Sequence, residues 1–369
     1  AERLSGDSAQ TLEADRAQIE AAERRAARRP VVENLELRLN QIGLEDGVWD
    51  PDFDVAIRLP LENPREVAAE RDTRVAEVEV AISQYGRAEL DLAVRSCESA
   101  ALAHFTAIGT DIASAQSERA GLLSVWLETL YAEGVLSELD YHRLRLTLDE
   151  AQIRPSGPAM DVEAPSSEDT LERFRSARIT TADAVLRLVS ENHPDLSLDL
   201  AQAELSRSRA REERAQNAFH LEFVEIGYRP LGPRGAEEIH GQLAVDFGWA
   251  GATRRDAEYL TLQANALDLG ARQRASTLAA EAAPLLAQLN SFSARIPAIE
   301  EAWRHADSAE AILDRTLDEG SPRATDLIGL WSDIYAIRRQ IADQFLDADQ
   351  TACELLRVTG VSIDNWPTR

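Results

Sequence analysis

The chain of 369 residues contains no lysine, so arginine supplies all 39 basic residues. Against them stand 65 acidic residues, for a formal net charge of −26. So acidic a surface repels nucleic acid and anionic lipid, which sets both aside as partners. Aromatic residues make up 5% of the chain, little for a compact globular core, while alanine, leucine, glutamate and arginine abound. That balance favours long helices. The two cysteines, Cys97 and Cys353, form no CxxC pair. The six histidines (His104, His142, His193, His220, His240 and His305) form no HxxxH pair. No metal site, redox site or cofactor is therefore expected. Nucleophile elbow, P-loop and HExxH patterns are all missing, so no catalytic residue is assigned and an enzyme is not expected. No apolar run reaches the roughly 18 residues of a membrane helix. That leaves open a β-barrel, whose strands are short and only alternately apolar. Ala1-Glu2-Arg3 carries no leader pattern and is compatible equally with a leader already removed and with a soluble cytosolic origin.

Proline is missing from residues 65–154, in a chain with breaks at 30, 51, 60 and 64 before it and at 155, 158 and 165 after it. The prolines at 194, 230, 233, 284, 297, 322 and 367 mark further breaks. The proline-free stretch predicts a helix from Arg65 to Glu133, roughly 100 Å long if continuous. A helix of that length needs neighbours to cover its apolar stripe, in a coiled-coil wall or hairpin. Residues 153–170, rich in Pro, Ser and acid, read as a linker. The parts on either side, 1–152 and 171–369, are related. Asp15-Arg16-Ala17-Gln18 aligns with Asp199-Leu200-Ala201-Gln202, 184 residues on, and Ile42-Gly43 aligns with Ile226-Gly227 at the same spacing. Glu133-Gly134 answers Glu319-Gly320. Both parts run helix, strand, loop, strand, long helix, glycine, helix, as an internal duplication would.

Four segments alternate with period two. They are 34–40 (Leu35, Leu37, Leu39), 52–59 (Phe53, Val55, Ile57, Leu59), 218–226 (Phe219, Leu221, Phe223) and 242–249 (Leu243, Val245, Phe247, Trp249). Their opposite faces carry Glu36, Arg38, Asp54, Arg58, Glu222 and Asp246. A soluble four-stranded sheet with one buried face is one reading. The other is a transmembrane barrel with a lipid-facing outside and a charged, wet lumen. The charged face and the absence of a helix patterned to cover a sheet favour the barrel. Four strands cannot close one, since about eight is the minimum, so such a chain must oligomerise.

This order of elements resembles the TolC-like outer-membrane efflux channels. Several segments carry the resemblance. Asn192-His193-Pro194-Asp195-Leu196 is similar to the family's Asn-Pro-x-Leu start, and Leu59-Pro60-Leu61-Glu62-Asn63-Pro64 to its strand-to-helix exit. Tyr131–Tyr141 resembles its hairpin tip (Tyr-x-x-Gly-x-x-Ser-x-x-Asp), with Thr316–Leu327 as the second tip. Ala352–Gly360 resembles its C-terminal segment. The first part lacks the Asn-Pro-x-Leu start, the helix after the first tip is short, and Pro322 is inserted in the second tip. The resemblance implies a mainly α fold with a small β part, built as two tandem repeats of a strand pair plus a long helical hairpin. Three copies would form a 12-stranded transmembrane barrel continued by a periplasmic helical tunnel.

The implied function is a passive outer-membrane exit duct of a tripartite efflux or type I secretion system in a Gram-negative bacterium. It would work with a periplasmic adaptor protein and an inner-membrane pump. The alternative is a soluble coiled-coil scaffold with a small sheet. Adaptor docking would fall to Gly134, Val135, Leu136, Ser137, Gly320 and Ser321. Asp140 and Asp326, each six residues past its glycine, would ring the narrow end with carboxylates that favour cations. Arg323 would pair with Asp140 of the neighbouring hairpin. Cys97 and Cys353 would come to similar heights in the tunnel wall. The demanding geometry of a disulfide argues against a bond between them.

Overall fold

A computed structural model of the chain describes residues 13–14, 16–24, 36–41, 53–61, 63–153, 174, 182–216, 218–229, 238–246, 253–319 and 323–363. Leu35, Phe247, Gly320 and Ser321 lie outside these residues. The elements are β1 (Glu36–Gln41), β2 (Phe53–Pro60), α1 (Pro64–Ala132), α2 (Glu138–Ile153), α3 (Ala182–Asn192), α4 (Pro194–Gln216), β3 (His220–Arg229), β4 (Glu238–Asp246), α5 (Thr253–Glu319) and α6 (Ala324–Thr359). Helix α1 has 69 residues, the length the proline gap predicts. Helix α5 has 67 and runs through Pro284 and Pro297, which the sequence reading took for breaks. An interior proline costs roughly 3 kcal/mol, and here the packing of the rest of the helix outweighs it.

Chain contacts divide the molecule into two compact units, residues 1–89 with 194–275 and residues 90–193 with 276–369. Each unit combines an early and a late stretch of the chain.

The first unit holds the sheet, in the order β1-β2-β3-β4 with every pair antiparallel. Where the sheet meets the helices, Asn63 caps α1. Its side-chain oxygen accepts the Arg65 N–H (3.0 Å) and its amide donates to the Ala215 carbonyl near the end of α4 (2.8 Å). Pro64 follows at the first helical position, where its missing N–H costs nothing. Thr73 of α1 donates to Glu212 of α4 (2.8 Å), Arg87 pairs with Asp195 (3.1 Å), and Arg274 of α5 pairs with Asp199 (2.9 Å). Within this unit the buried residues of α5 are all alanines, Ala257, Ala264, Ala271 and Ala275, the first three seven apart. Heptad spacing with so small a side chain lets helices lie close along a shared seam.

The second unit is a helical bundle around Leu123, Leu127, Leu148, Leu313, Ile328, Trp331, Ile334 and Tyr335, contributed by α1, α2, α5 and α6. Fully burying one such side chain stabilises by roughly 1.5–3 kcal/mol. On α6 the buried positions Leu327, Ile334, Ile341, Ala348 and Leu355 again fall seven apart. Phe174 sets its ring edge against Phe292, which meets Phe345 in turn.

Contrary to the sequence expectation, Cys97 of α1 and Cys353 of α6 form a disulfide, with S–S 2.03 Å and Cα–Cα 5.6 Å. Helix phase decides this. On α1, Cys97, Ala101 and His104 share one face. On α6, Cys353 and Asp349 do, and His104 Nδ1 lies 3.2 Å from Asp349 Oδ2. The antiparallel seam thus brings the two sulfurs together. Both belong to long helices whose registers are fixed elsewhere, so no coincidence is needed.

Helix α6 ends on Gly360, at φ 74°, whose N–H donates to the Leu356 carbonyl (2.9 Å). A Cβ at this glycine would fall 2.9 Å from the Asn192 carbonyl oxygen and 3.1 Å from the His193 Cα. The left-handed backbone alone costs a non-glycine residue roughly 1–2 kcal/mol, and the close approach adds to it. Gly360→Ala is therefore expected to lower the denaturant midpoint with an unchanged slope. An unaltered midpoint would show that α6 does not end against the α3–α4 junction.

Candidate functional site

Two places carry the candidate residues: the sheet of the first unit and the hairpin tips of the second.

In the sheet, register sorts side chains onto two faces. One face takes Leu37 with Ile57, then Ile57 with Ile226, and Leu59 with Val224 and Leu243. These residues are exposed or half-buried, Leu37 and Ile226 each at 62%. Val55, Tyr228, Ile239 and Val245 extend the face, and Leu221 opposes Val245. The other face carries Glu36 opposite Arg58, Arg58 opposite Glu225, and Glu225 opposite Gln242. A second row runs Arg38, Ala56, Gly227, His240. Opposite charges facing each other across strands attract at this spacing. Glu36 also accepts from Arg38 (3.1 Å), and Arg58 lies 3.7 Å from Glu222. Leu39, Phe53, Asp54 and Asp246 are placed by backbone register alone, with Asn40 opposite Asp54, Gln41 opposite Phe53 and His220 opposite Asp246.

Phe223, expected beside Phe219 and Leu221 on the apolar face, lies on the charged one. The ladder slips there: Leu221 opposes Val245, but Phe223 opposes Ala244, which leaves Glu222 as the extra residue of a β-bulge. A bulge reverses the alternation beyond it. Phe223 is buried, with the Arg58 guanidinium 3.3 Å above its ring. The apolar face is taken over by Val224, Ile226 and Tyr228, and the charged one gains Glu225, which the sequence reading missed. The adjacent apolar pair Phe223-Val224 was the signal that the alternation breaks. Strand β4 begins at Glu238, four residues before the expected 242, because Gly241 has no side chain to show the alternation that Ile239 continues. At Gly227 the His240 ring lies where a Cβ would stand, so a larger residue there would turn that exposed ring aside.

At the first tip, Gly134 has φ 75°. Its N–H donates to the Tyr131 carbonyl (3.0 Å) and the Val135 N–H to the Leu130 carbonyl (3.0 Å), the paired bonds that end a helix on a left-handed glycine. Three residues later Ser137 starts α2. Its hydroxyl accepts the Asp140 N–H (3.1 Å) and donates to the Asp140 carboxylate (2.6 Å). Asp140 is thus part of a reciprocal cap that also suits the positive end of the helix dipole. Tyr131 stacks on Tyr141 with ring centroids 4.4 Å apart, which ties the helices across the turn. Val135 and Leu139 are exposed and Leu136 is half-buried. At the second tip Arg323 and Asp326 are exposed at the start of α6. Among the described residues no ion pair joins Arg323 to Asp140.

Behind the tips lies a charged network that sequence reading missed. Arg119 of α1 pairs with Asp314 of α5 (2.5 Å), and Arg338 of α6 donates to Glu310 (2.5 Å) and Asp307 (2.8 Å) of α5. Arg119 also reaches to 3.9 Å from Glu310, so the network spans three helices. The Tyr335 hydroxyl donates to Glu310 (3.2 Å). Among the described residues no group of His, Cys, Asp and Glu could hold a metal ion, and no helix is long and apolar enough to cross a membrane.

No family model and no curated protein matches the sequence. The fold does match solved structures. The outer membrane protein VceC of Vibrio cholerae superposes with a TM-score of 0.60 at 12% identity, over 97% of this chain and 93% of that one. The outer-membrane channel OprN gives 0.57 at 16% identity, over 96% and 88%. The open state of the MtrE outer membrane channel of Neisseria gonorrhoeae gives 0.52 at 13%, over 96% and 85%. The chain has the fold of the outer-membrane channels.

Burial, and then the Glu310 charge, push the Tyr335 phenol up to about 12. An unfolded tyrosine ionises near 10, so folding favours the neutral phenol. Its contribution to stability is complete below about pH 10 and is lost as pH rises through about 12. Unfolding free energy should therefore fall across this window, and Tyr335→Phe should flatten the fall. An equal slope in the variant would place Tyr335 outside the network.

Proposed function

We propose that the chain is a TolC-like outer-membrane channel, a passive exit duct of a tripartite efflux or type I secretion system that performs no catalysis. The observation that carries this is the sheet. Its β1 and β4 edges are unpaired among the described residues, and an apolar face crosses all four strands. A soluble scaffold would have to leave Leu37, Ile57, Ile226, Ile239 and Leu243 in water. Lipid suits that face but not the edges, where each unpaired backbone group costs several kcal/mol. Three copies, each setting β1 against a neighbour's β4, close a 12-stranded barrel without an edge. The fold shared with outer-membrane channels supports the same design.

In this reading Leu37, Leu39, Phe53, Val55, Ile57, Phe219, Leu221, Leu243 and Val245, joined by Ile226 and Tyr228, face outer-membrane lipid. Glu36, Arg38, Asp54, Arg58, Glu222, Glu225 and Asp246 face the lumen. The helical part extends into the periplasm. Gly134, Val135, Leu136 and Ser137, with Gly320 and Ser321, dock a periplasmic adaptor that connects to an inner-membrane pump. Asp140, Asp326 and Arg323 lie around the narrow end, and the acid excess makes the duct prefer cations.

Light scattering in detergent is expected to give a homotrimer, and planar-bilayer recordings a reversal potential shifted toward the cation. A stable folded monomer would defeat the barrel, and anion preference would defeat the acidic duct. Gly134→Trp should leave the trimer intact, because distant sites without shared partners do not couple. It should also abolish crosslinking to the adaptor. Normal crosslinking in that variant would place docking elsewhere.

A further inference from the structure

The Cys97–Cys353 bond joins residues 256 apart, one from each repeat. Its two sulfurs stand in different surroundings. Cys353 is 2% exposed, among the buried Ala352, Leu355 and Val358 of α6. Cys97 is only half-buried, between the exposed Ser96 and Glu98. Glu98 accepts a hydrogen bond from Arg357 (2.5 Å), which stands one turn beyond Cys353 on α6. An ion pair therefore crosses the open edge of the seam at the residue after Cys97. On the tip side the seam is shut by the buried pair of His104 and Asp349. On the far side the Arg357 carbonyl lies 3.2 Å from His193 Nε2. Approach from solvent is thus open at Cys97 and closed at Cys353.

We propose that this pair is a substrate of thiol–disulfide exchange with a disulfide-bearing oxidant, Cys97 being the entry sulfur and Cys353 the resolving sulfur. The Cys97 thiolate attacks one sulfur of the oxidant's disulfide, and the other sulfur leaves as thiolate. The Cys353 thiolate then attacks the Cys97 sulfur of the mixed disulfide, closes the Cys97–Cys353 bond and expels the oxidant's second thiolate. The chain gives up two protons and two electrons, and the oxidant's disulfide becomes a dithiol. The second step needs Cys353 already against Cys97, so the bond closes only on repeats docked in register and clasps the α1–α6 seam.

The full chain, reduced in detergent and challenged with oxidised glutathione, tests the order. Cys353→Ala should gain a glutathione at Cys97 about tenfold faster than Cys97→Ala gains one at Cys353, following exposure. In urea the two rates should converge. Equal rates in the folded chain, or a faster Cys353, would overturn the assignment. Should either variant misfold, peptide mapping of the wild-type chain, quenched early by acid, reads the same choice. Glutathione on Cys97 supports it and glutathione on Cys353 overturns it. In cells, the mass of the Cys97 adduct on Cys353→Ala distinguishes a protein oxidant from a small one, and an adduct-free Cys97 there counts against exchange. None of these readouts depends on membrane insertion.

Discussion

A helix of 69 residues has no core of its own, and the rest of the chain is arranged by the need to cover it. Nothing in a single long helix resists fraying except what lies along its side. Two further long helices, α5 and α6, answer that need with buried positions that recur every seven residues. The recurrence is strict enough that alanine suffices at many of them. Closely spaced helices exclude water with small side chains, which is how so few aromatics stabilise so long a chain. It also explains why Pro284 and Pro297 are tolerated. Each removes one hydrogen bond from α5, but neither disturbs the seven-residue recurrence to which the neighbouring helices are matched.

A regular apolar seam has one weakness: it looks the same after a slip of one heptad. Polar and covalent links remove that freedom. Arg119 with Asp314, Arg338 with Glu310 and Asp307, His104 with Asp349, and Cys97 with Cys353 each join a different pair of levels in the second unit. A slip of seven residues would separate all of them at once and part the largely buried Arg338 and Asp349 from these partners, which is costly. The links therefore specify register, while the heptads supply most of the stabilisation.

This division of labour sets what the sequence shows. Helix α1 was legible to within a residue because the absence of proline and the helix-forming composition are local properties. The first tip was legible for the same reason, since Gly134, Ser137 and Asp140 act on backbone atoms a few residues away. The links between seams were not. Arg119 and Asp314 are ordinary surface types in sequence, and only the side-by-side packing of two long helices brings together residues 195 apart. The disulfide was misjudged for a related reason. The similar heights of the two cysteines follow from counting residues along the helices, whereas the helix phase that turns them toward each other is set by the common register of α1 and α6.

The sheet shows how one residue decides which face a strand presents. Without the bulge at Glu222, β3 would set Ile226 and Tyr228 among the charges and Glu225 among the apolar side chains, against both of its neighbours. With the bulge, Phe219 and Leu221 lie on the apolar face at the start of the strand, and Ile226 and Tyr228 still do so at its end. The Leu61 N–H donates to the Glu222 carbonyl (2.9 Å), so the extra residue is held by the chain just where β2 passes into α1. The charged face gains a site shaped by the same irregularity. Arg58 has Phe223 beneath it, Glu222 beside it, and Glu36 and Glu225 across the neighbouring strands. A single cation surrounded by three carboxylates leaves that row of the sheet negative. An apolar face and a charged face thus arise together from one inserted residue.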